Sequence, residues 1–423
     1  MRTIYFLSIY FNLFLCISLF LSIQASAQSI EDYQQTAAEQ NPGLQAKYKE
    51  YEAALEKIPQ VNSLADPVFS FGYFISPVET RVGPQRARFS LSQMFPWFGT
   101  LKAQGDAATL MAEAKFQSFI DVRNKLFYRV AAAYYPLYEL QHWQQIEQEN
   151  IEILESYKSV ATKKFENGKA AMADVLRVDI MLNDAITNLK ILKDKEQPLR
   201  VSFNKLLNRN ENDSISIVDS IDYKEFSAEY YNDSLFENHP LLSELDLKIK
   251  AAEAGELAAK KKGLPQIGLG LDYVIIGERT DLSGAAASDL NDNGKDAFMP
   301  MLSVGIPIYR SKYKAAVKEN RLMQESYALQ KQEQENALKS NIEMQWFELR
   351  QQLDLLKLYE QQIQSSRQTL NLLYSAYSND NSDFEEVLRM QQQLLKYRKM
   401  KATALAQYNI GLAKFNYLTA KTN

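Results

Sequence analysis

The sequence predicts a mainly α-helical chain with a small β part, and it predicts that this fold occurs twice along the chain. Proline spacing is repeated, because Pro67 follows Pro42 by 25 residues and Pro265 follows Pro240 by 25 residues. Late in each half, Asp-Val-Leu-Arg at residues 174–177 corresponds to Glu-Val-Leu-Arg at residues 386–389. An internal duplication constrains the whole fold. Each copy reads as helix, strand, strand, long helix, turn and helix.

The long helices are predicted by the scarcity of breakers. Glycine and proline number only 15 and 12 in 423 residues, and both residues disfavour helix interiors. The segment between Tyr313 and Tyr377 contains neither, so it predicts one helix on the order of 100 Å long. Leu349, Leu353 and Leu356 recur at helical spacing, as in a coiled-coil-like seam. Polar tips at residues 166–169 and 378–383 predict that each arm folds back as an antiparallel helical hairpin.

Four short strands are predicted by a change of period. Phe69, Phe71 and Tyr73 alternate with Ser70 and Gly72, and residues 87–92, 267–275 and 301–306 alternate in the same way. One apolar face and one small or polar face suit either a sandwich or a lipid-facing barrel with a wet interior. Four strands close no barrel of useful diameter, and open edges are not tolerated in lipid. If these strands lie in a membrane, several chains must share one barrel.

The N-terminus predicts export. Arg2 precedes a largely apolar run from residue 4 to 23, and Ala25-Ser26-Ala27 is a small-residue cleavage pattern, so residues 1–27 are read as a signal peptide. The sole cysteine, Cys16, lies in this segment. The mature chain is therefore expected to use neither disulfides nor thiolate metal sites.

The predicted organisation follows the duplication. After the signal peptide, residues 28–207 form the first repeat of helix, β-hairpin and long helical hairpin. Residues 208–237 form an acidic helix-and-loop insert, and residues 238–423 form the second repeat. The net charge of −4 and a pI near 5.6 do not indicate a nucleic-acid partner.

Together these features resemble the TolC family of outer-membrane efflux proteins. The resemblance covers the whole mature chain. It rests on the paired helix starts at residues 41–42 and 239–240, the strand ends at 95–96 and 306–307, and the two tips with the segments that follow them. Within residues 93–101, Gln-Met-Phe-Pro-Trp-Phe-Gly-Thr-Leu is similar to a segment of the family's heavy-metal resistance branch.

The resemblance implies a homotrimer. Its twelve strands would form one barrel in outer-membrane lipid, and its helices would form a periplasmic α-barrel. It also implies a periplasmic adaptor (membrane fusion) protein and an inner-membrane RND-type or ABC pump as partners. The chain would then be the exit duct of a tripartite efflux system that conducts substrate passively. The cargo stays open among metal ions, drugs and polypeptides.

Gate residues are expected just after the tips, where family members narrow. Rings of carboxylates from Asp174 and Glu386 would concentrate cations and make closure sensitive to pH and salt. Arg177 and Arg389 are candidates to pair with neighbouring acids and hold the mouth shut. The alternative for both acids is that they are solvated carboxylates favoured by the helix dipole.

Docking of the adaptor is expected at the tips themselves. Asn167, Gly168 and Lys169 are the candidates in the first copy, and Asp380 and Asp383 in the second. Asp380 stands where the family usually has a glycine, so the geometry of the second turn is expected to differ.

No catalytic, cofactor or metal site is predicted. The sequence has no P-loop, GxSxG or HExxH motif, and His142 and His239 are its only histidines. Three alternatives stay open: a soluble periplasmic coiled-coil scaffold or adaptor, a type I protein secretion duct, and a general diffusion porin. The porin is disfavoured because most of the chain is predicted to be helical.

Overall fold

A computed structural model gives the fold and describes residues 29–221, 223, 236, 238–280, 291–379 and 383–421. Within these residues the chain forms helices and four strands, in this order: α1 (Ile30–Gln40), α2 (Pro42–Leu55), α3 (Lys57–Asn62), β1 (Val68–Thr80), β2 (Gly83–Phe95), α4 (Thr100–Glu166), α5 (Met172–Leu206), α6 (Pro240–Lys262), β3 (Gln266–Ile276), β4 (Ala297–Gly305), α7 (Ser311–Ser378) and α8 (Phe384–Leu418). The predicted mainly helical fold with four strands is confirmed. The predicted signal peptide lies outside the described residues.

Local sequence explains where the helices begin. Ser29 caps α1 and forms a capping box with Asp32, which satisfies free backbone N–H groups of the first turn. Pro240 occupies the first turn of α6 behind its cap His239, and proline is well tolerated there because its missing N–H has no intrahelical role. The long helix α7 spans 68 residues, from Ser311 to Ser378. The sequence predicted one helix from Tyr313 to Tyr377, so the observed helix is slightly longer at both ends.

The strands form one antiparallel sheet in the order β1-β2-β3-β4. Register places Phe71, Phe89, Tyr273 and Phe298 side by side on one face. That face presents large exposed apolar side chains on all four strands, namely Phe69, Phe71, Tyr73, Leu91, Leu269, Leu271, Tyr273, Phe298, Leu302 and Val304. The opposite face carries small and polar residues such as Ser70, Ser90 and Asp272, as the alternation predicted, together with the apolar residues Met94, Val274 and Met301.

β1 is longer than its alternation predicted. It continues past Ile75 and through Pro77 to Thr80, and Arg81 and Val82 turn the chain into β2. The pairing register shifts between Tyr73 and Val78. Proline lacks a ladder donor but is compatible with an edge strand or a bulge. The sequence pattern hid this extension because the proline looked like a strand terminator.

The chain divides into two compact units. The helical unit takes residues up to 45, 123–235 and 340–423, and the sheet-bearing unit takes residues 46–122 and 236–339. Each unit therefore draws segments from both predicted repeats, and the repeat boundaries themselves stay a prediction. None of the described helices is long and apolar enough to cross a membrane.

The insert between the repeats is attached to the helical unit. The Tyr33 hydroxyl accepts a hydrogen bond from Ser216 N at 2.8 Å, and the Tyr134 hydroxyl accepts one from Val218 N at 3.1 Å. The Asn204 amide donates to the Asp213 carbonyl at 2.9 Å. The described part of the insert, residues 208–221, 223 and 236, contains no helix. Residues 224–235 lie outside the described residues, so the helix expected for the insert stays a prediction.

In the sheet-bearing unit, the carboxylate of Glu256 on α6 makes several contacts with α7, in addition to the ion pair of Asp246 with Lys331. Glu256 accepts hydrogen bonds from Arg321 Nε at 2.9 Å and Gln324 Nε2 at 3.1 Å, both on α7. Lys260, one turn further along α6, lies 2.6 Å from the same carboxylate. These three partners, Lys260 first, lower the pKa of Glu256 from 4.5 to about 2, because each favours the ionised form.

We predict that Glu256 stabilises the sheet-bearing unit in a pH-dependent way. A lowered folded-state pKa means that the stabilisation is present above about pH 4.5 and is lost as the pH falls towards about 2. Glu256→Gln should lower the melting temperature at neutral pH, and the difference from the unmodified protein should shrink steadily below pH 4.5. Thermal unfolding followed by circular dichroism measures this.

The matched control is Glu253→Gln, an exposed carboxylate on the same helix. It removes the same charge without removing the contacts to α7 and should leave the melting temperature nearly unchanged. A Glu256→Gln deficit that stays constant down to pH 2 would contradict the assignment.

Candidate functional site at the hairpin tips

The first tip is a tight glycine turn between α4 and α5. Gly168 has φ of +69°, a left-handed conformation that residues with a side chain rarely adopt. Gly168 N donates to the Phe165 carbonyl at 2.9 Å, and Lys169 N donates to the Lys164 carbonyl at 2.8 Å. These bonds satisfy the last carbonyls of α4, as at many glycine-terminated helices. A Cβ on Gly168 would meet nothing within 4 Å, so the constraint is backbone conformation and not space.

The second tip ends with a helix cap. Asp383 precedes α8 and accepts a hydrogen bond from Glu385 N at 3.0 Å, which satisfies a free N–H group at the helix start. Asp383 was predicted as a docking residue, and the structure gives it this capping role as well. Asp380, the other predicted docking residue of this tip, lies outside the described residues.

An aromatic core joins the two hairpins near their tips. The Phe384 ring, 1 % exposed, stacks on Tyr377 at 4.5 Å between ring centroids. Tyr157 of α4 contacts Phe384 edge-on at 6.1 Å and stacks on Tyr374 at 5.3 Å. Burial of this core raises the pKa of Tyr157 to about 12. The first hairpin therefore packs against both helices of the second.

A lysine adds a polar connection to the same core. Lys164 Nζ, on α4, donates to the backbone carbonyl of Tyr377 and lies 4.2 Å from the centroid of that tyrosine's ring. An ammonium over a tyrosine face is attracted by the ring quadrupole. Lys164 was not selected from the sequence, and its partner Tyr377 is distant from it along the chain.

The predicted gate residues form two local ion pairs and one pair between hairpins. Arg177 lies 3.5 Å from Asp174 on the same helix and 3.2 Å from Glu385 at the start of α8. Arg389 lies 3.7 Å from Glu386, also on one helix. Asp174 is largely covered, with its side chain 16 % exposed, whereas Glu386 is 52 % exposed. The two acids, equivalent by duplication, therefore have different surroundings.

Glu385 is the site residue that sequence reasoning missed. The duplication aligns residue 385 with Ala173, so the comparison of repeats gave no signal there. Only the packing of α5 against α8 brings its carboxylate to Arg177. Exposed ion pairs of this kind contribute little to the free energy of folding, roughly 0–1 kcal/mol each. The Arg177–Glu385 pair therefore opens at a small cost in free energy.

The docking candidates of the first tip are all exposed, and Asn167 also donates through its side-chain amide to the Lys163 carbonyl at 2.7 Å. Exposed apolar side chains surround them, namely Phe165, Met172, Leu176 and Ile180. A surface with both apolar and polar groups is suited to contact another protein. The sequence pattern indicated only Asn167, Gly168 and Lys169 of this surface and none of its apolar side chains.

The two histidines lie outside the tips, and their contacts are structural. Among the described residues there is no group of three or more His, Cys, Asp or Glu side chains that could hold a metal ion. The ring nitrogens of His142 lie 3.0 Å from the Tyr138 carbonyl and 3.2 Å from the Asp219 carbonyl. His239 caps a helix. Both histidines therefore have structural contacts.

Comparison with known proteins gives a family match for part of the chain and a shared fold for nearly all of it. Residues 232–418 match the sequence profile of the family described as outer membrane efflux protein. No curated protein matches the sequence at a significant level.

Several solved structures share the fold over nearly the whole chain. CusC has a TM-score of 0.75 at 14 % identity, covering 92 % of this chain and 91 % of its own. VceC of Vibrio cholerae, an outer membrane protein, gives 0.72 at 14 % identity, covering 92 % and 95 %. CmeC of Campylobacter jejuni, an outer membrane channel, gives 0.73 at 13 % identity, covering 94 % and 90 %.

We predict that Phe384 holds the tips together. Phe384→Ala should destabilise this region by about 3–5 kcal/mol, because truncating a buried phenylalanine removes its contacts and leaves a cavity. Hydrogen exchange of backbone amides in the first turns of α8 and the last turns of α7 should accelerate, since local opening becomes easier.

Phe165→Ala is the matched control, because Phe165 is at the first tip but 43 % exposed. It should leave exchange in α7 and α8 unchanged. Equal effects of the two substitutions would refute a specific role for the Phe384 core.

Proposed function

We propose that the chain is a TolC-like outer membrane efflux protein and the exit duct of a tripartite efflux system, located in the outer membrane with an extension into the periplasm. The family match over residues 232–418 and the fold shared over nearly the whole chain support this proposal. In the proposal, three copies conduct substrate passively from an inner-membrane pump and a periplasmic adaptor to the outside.

The observation that carries the proposal is the open four-stranded sheet with an exposed apolar face. β1 pairs only with β2, and β4 pairs only with β3, within the sheet of the described protomer. Unsatisfied backbone groups cost several kcal/mol each in lipid, so only closed barrels of strands span membranes. Three copies joined edge to edge supply twelve strands, enough to close a barrel with a wet interior.

The other face of the sheet suits such an interior. Asp272 of β3 forms an ion pair with Arg88 of β2 on that face, and Asp272 is fully covered by the surrounding chain. Ser70 and Ser90 lie in the same register row as Asp272. Charged pairs are costly against lipid but not against water, so this face is assigned to the interior of the duct.

Energy for transport has to come from partners under this proposal. The sequence has no nucleotide-binding P-loop, which supports a passive conduit that is driven by a pump. The adaptor would contact the exposed tip surface around Asn167, Gly168 and Lys169, and Asp383 and Asp380 of the second tip are the further docking candidates.

A periplasmic scaffold or adaptor is the competing class. It accounts for the long helices but gives no reason for apolar side chains across one whole face of a four-stranded sheet. A type I secretion duct would share the same architecture and differ in its cargo. A transport assay with each candidate pump separates these two ducts. Export of a polypeptide indicates a secretion duct, whereas export of metal ions or drugs indicates an efflux duct.

We predict that the apolar face contacts lipid. Phe71→Arg should reduce recovery of the protein in the outer membrane fraction, because arginine on a lipid-facing strand costs about 2–4 kcal/mol near the bilayer centre. Ser70→Arg, the adjacent residue on the opposite face, should be tolerated. Membrane fractionation and light scattering of the detergent-solubilised protein measure insertion and the trimer mass.

Two results would overturn the duct. One is recovery of the unmodified protein in the soluble periplasm without detergent. The other is a monomeric mass in mild detergent together with equal tolerance of arginine at positions 70 and 71.

We predict that ion pairs at the tips restrict conductance. Asp174→Ala combined with Glu386→Ala should raise the single-channel conductance of the reconstituted protein at neutral pH, because both pairs with arginine are lost. Arg177→Ala should raise it too, since it also removes the contact with Glu385 of the other hairpin.

Arg389→Ala is the comparison variant, because Arg389 pairs only within its own helix among the described ion pairs. Its effect should be smaller than that of Arg177→Ala. Conductance that is unchanged in every variant would remove the gate assignment, while leaving the duct itself intact.

A further inference from the structure

A strongly basic groove lies between α6 and α7 in the sheet-bearing unit. Its volume is about 630 Å³, and five of its ten lining residues are lysine or arginine, with no acidic residue among them. The cationic members are Lys260, Arg310, Lys314, Lys318 and Arg321. Lys262 at the end of α6 and Lys312 at the start of α7 add to the local positive charge.

Most of this charge is not neutralised within the chain. Glu256 pairs with Lys260 and Arg321. Among the ion pairs of the described residues, Arg310, Lys314 and Lys318 have no acidic partner, and all three are exposed. Three exposed cations within nine residues, at the start of α7 and just before it, repel one another unless an anion lies between them.

The groove directly adjoins the ends of the strands. Gly263 and Leu264, which line it, precede β3 at Gln266, and Arg310 follows β4, which ends at Gly305. Lys261 Nζ donates to the Phe98 carbonyl at 3.1 Å, which places the segment after β2 beside it as well.

Exposed apolar and aromatic residues surround this end of the sheet. They are Trp97, Phe98, Leu264, Ile306, Ile308 and Tyr309, and the Tyr309 side chain is 83 % exposed. Aromatic residues of this kind collect at the boundary between hydrocarbon and head groups in membrane barrels. Because the strands continue here into the helices, this end is the periplasmic one and faces the inner leaflet of the outer membrane.

We propose that the groove binds the phosphate head group of an anionic phospholipid in that inner leaflet. Arg310, Lys314 and Lys318 contact the phosphate oxygens, and guanidinium and ammonium groups bond to phosphate more strongly than neutral donors do. Leu264, Tyr313 and Val317 form the apolar part of the lining and contact the first carbons of the acyl chains. The lipid thereby holds the helix pair at a set depth relative to the membrane.

A lipid is favoured over a soluble phosphate by position. The charges lie against apolar side chains at the membrane boundary, where acyl chains and phosphates occur together. The proposal rests on the outer-membrane location and is independent of gating and of cargo. A neighbouring copy that covers the groove with its own acidic residues is the competing occupant.

The test is native mass spectrometry of the full mature protein in mild detergent, titrated with phosphatidylglycerol and, separately, with zwitterionic phosphatidylethanolamine. The protein should retain phosphatidylglycerol in preference. Arg310→Gln, Lys314→Gln and Lys318→Gln together should weaken this binding on the order of a hundredfold, since each cation near an anionic head group contributes roughly fivefold.

The control variant removes the same charge elsewhere. Lys190→Gln, Lys193→Gln and Lys195→Gln are exposed lysines on α5, and their joint replacement should leave phosphatidylglycerol binding unchanged. Equal binding by both triple variants, or displacement of the lipid by inorganic phosphate at matched concentration, would overturn the lipid site. A lower trimer mass in the first variant with unchanged lipid binding would instead assign the groove to a neighbouring copy.

If the triple variant does not fold, single substitutions decide the question. Lys314→Gln alone should weaken phosphatidylglycerol binding roughly fivefold, with circular dichroism and trimer mass unchanged. A variant that no longer retains the lipid but conducts normally would show that lipid binding in this groove is separate from the proposed duct function.

Discussion

The open edges of a four-stranded sheet are the constraint on which the rest of this structure depends. The order β1-β2-β3-β4 leaves the outer edges of β1 and β4 without a strand partner in the described protomer. In water such an edge invites aggregation, and in lipid it is prohibitively costly. One face of the same sheet exposes large apolar side chains on all four strands. In the proposed duct, lipid covers this face and further copies of the chain pair with both edges.

The helices satisfy a different requirement, which is to pack along great length without a break. Close approach is achieved locally by small residues. Gly411 of α8 is one example, since a Cβ there would lie 2.8 Å from Gln345 Nε2 and 3.1 Å from Leu349 Cδ2 on α7. Near the tips, the packing changes from small residues to the aromatic core around Phe384. The ends of the hairpins are therefore held by ring contacts, while their ion pairs lie at the exposed margin, where they open at low cost.

Arg177 has one acidic partner on each of the two hairpins. Arg177 connects two hairpins through Glu385, but it also pairs with Asp174 on its own helix. A guanidinium with two acidic partners keeps one when it releases the other, so loss of the contact between hairpins leaves Arg177 paired with Asp174 and exposes only Glu385, whose side chain is already 62 % exposed to solvent. The aromatic contacts of Tyr157 with Phe384 and Tyr374 hold the same two hairpins together beneath these ion pairs.

Periodicity made much of the fold predictable, and particular residues show where it stopped. The alternation of Phe69, Phe71 and Tyr73 identified a strand, yet Pro77 concealed its extension to Thr80 because a proline inside a strand is usually excluded. The contacts of the insert were not predictable in this way, because Tyr33 and Tyr134 bind its backbone from helices distant in sequence. At the site, duplication selected Asp174 and Glu386 but could not select Glu385, whose counterpart in the first repeat is the uncharged Ala173.

The sequence by itself determined the duplicated helix-and-strand order, the two tips and the two faces of each strand, since these depend on local period and on breakers. The tertiary structure alone decided which charges meet, which aromatic rings bury one another and where unpaired lysines and arginines gather beside the strands. These are contacts between residues far apart along the chain. No local pattern encodes them, because they depend on the register and packing of helices that the pattern only predicts to exist.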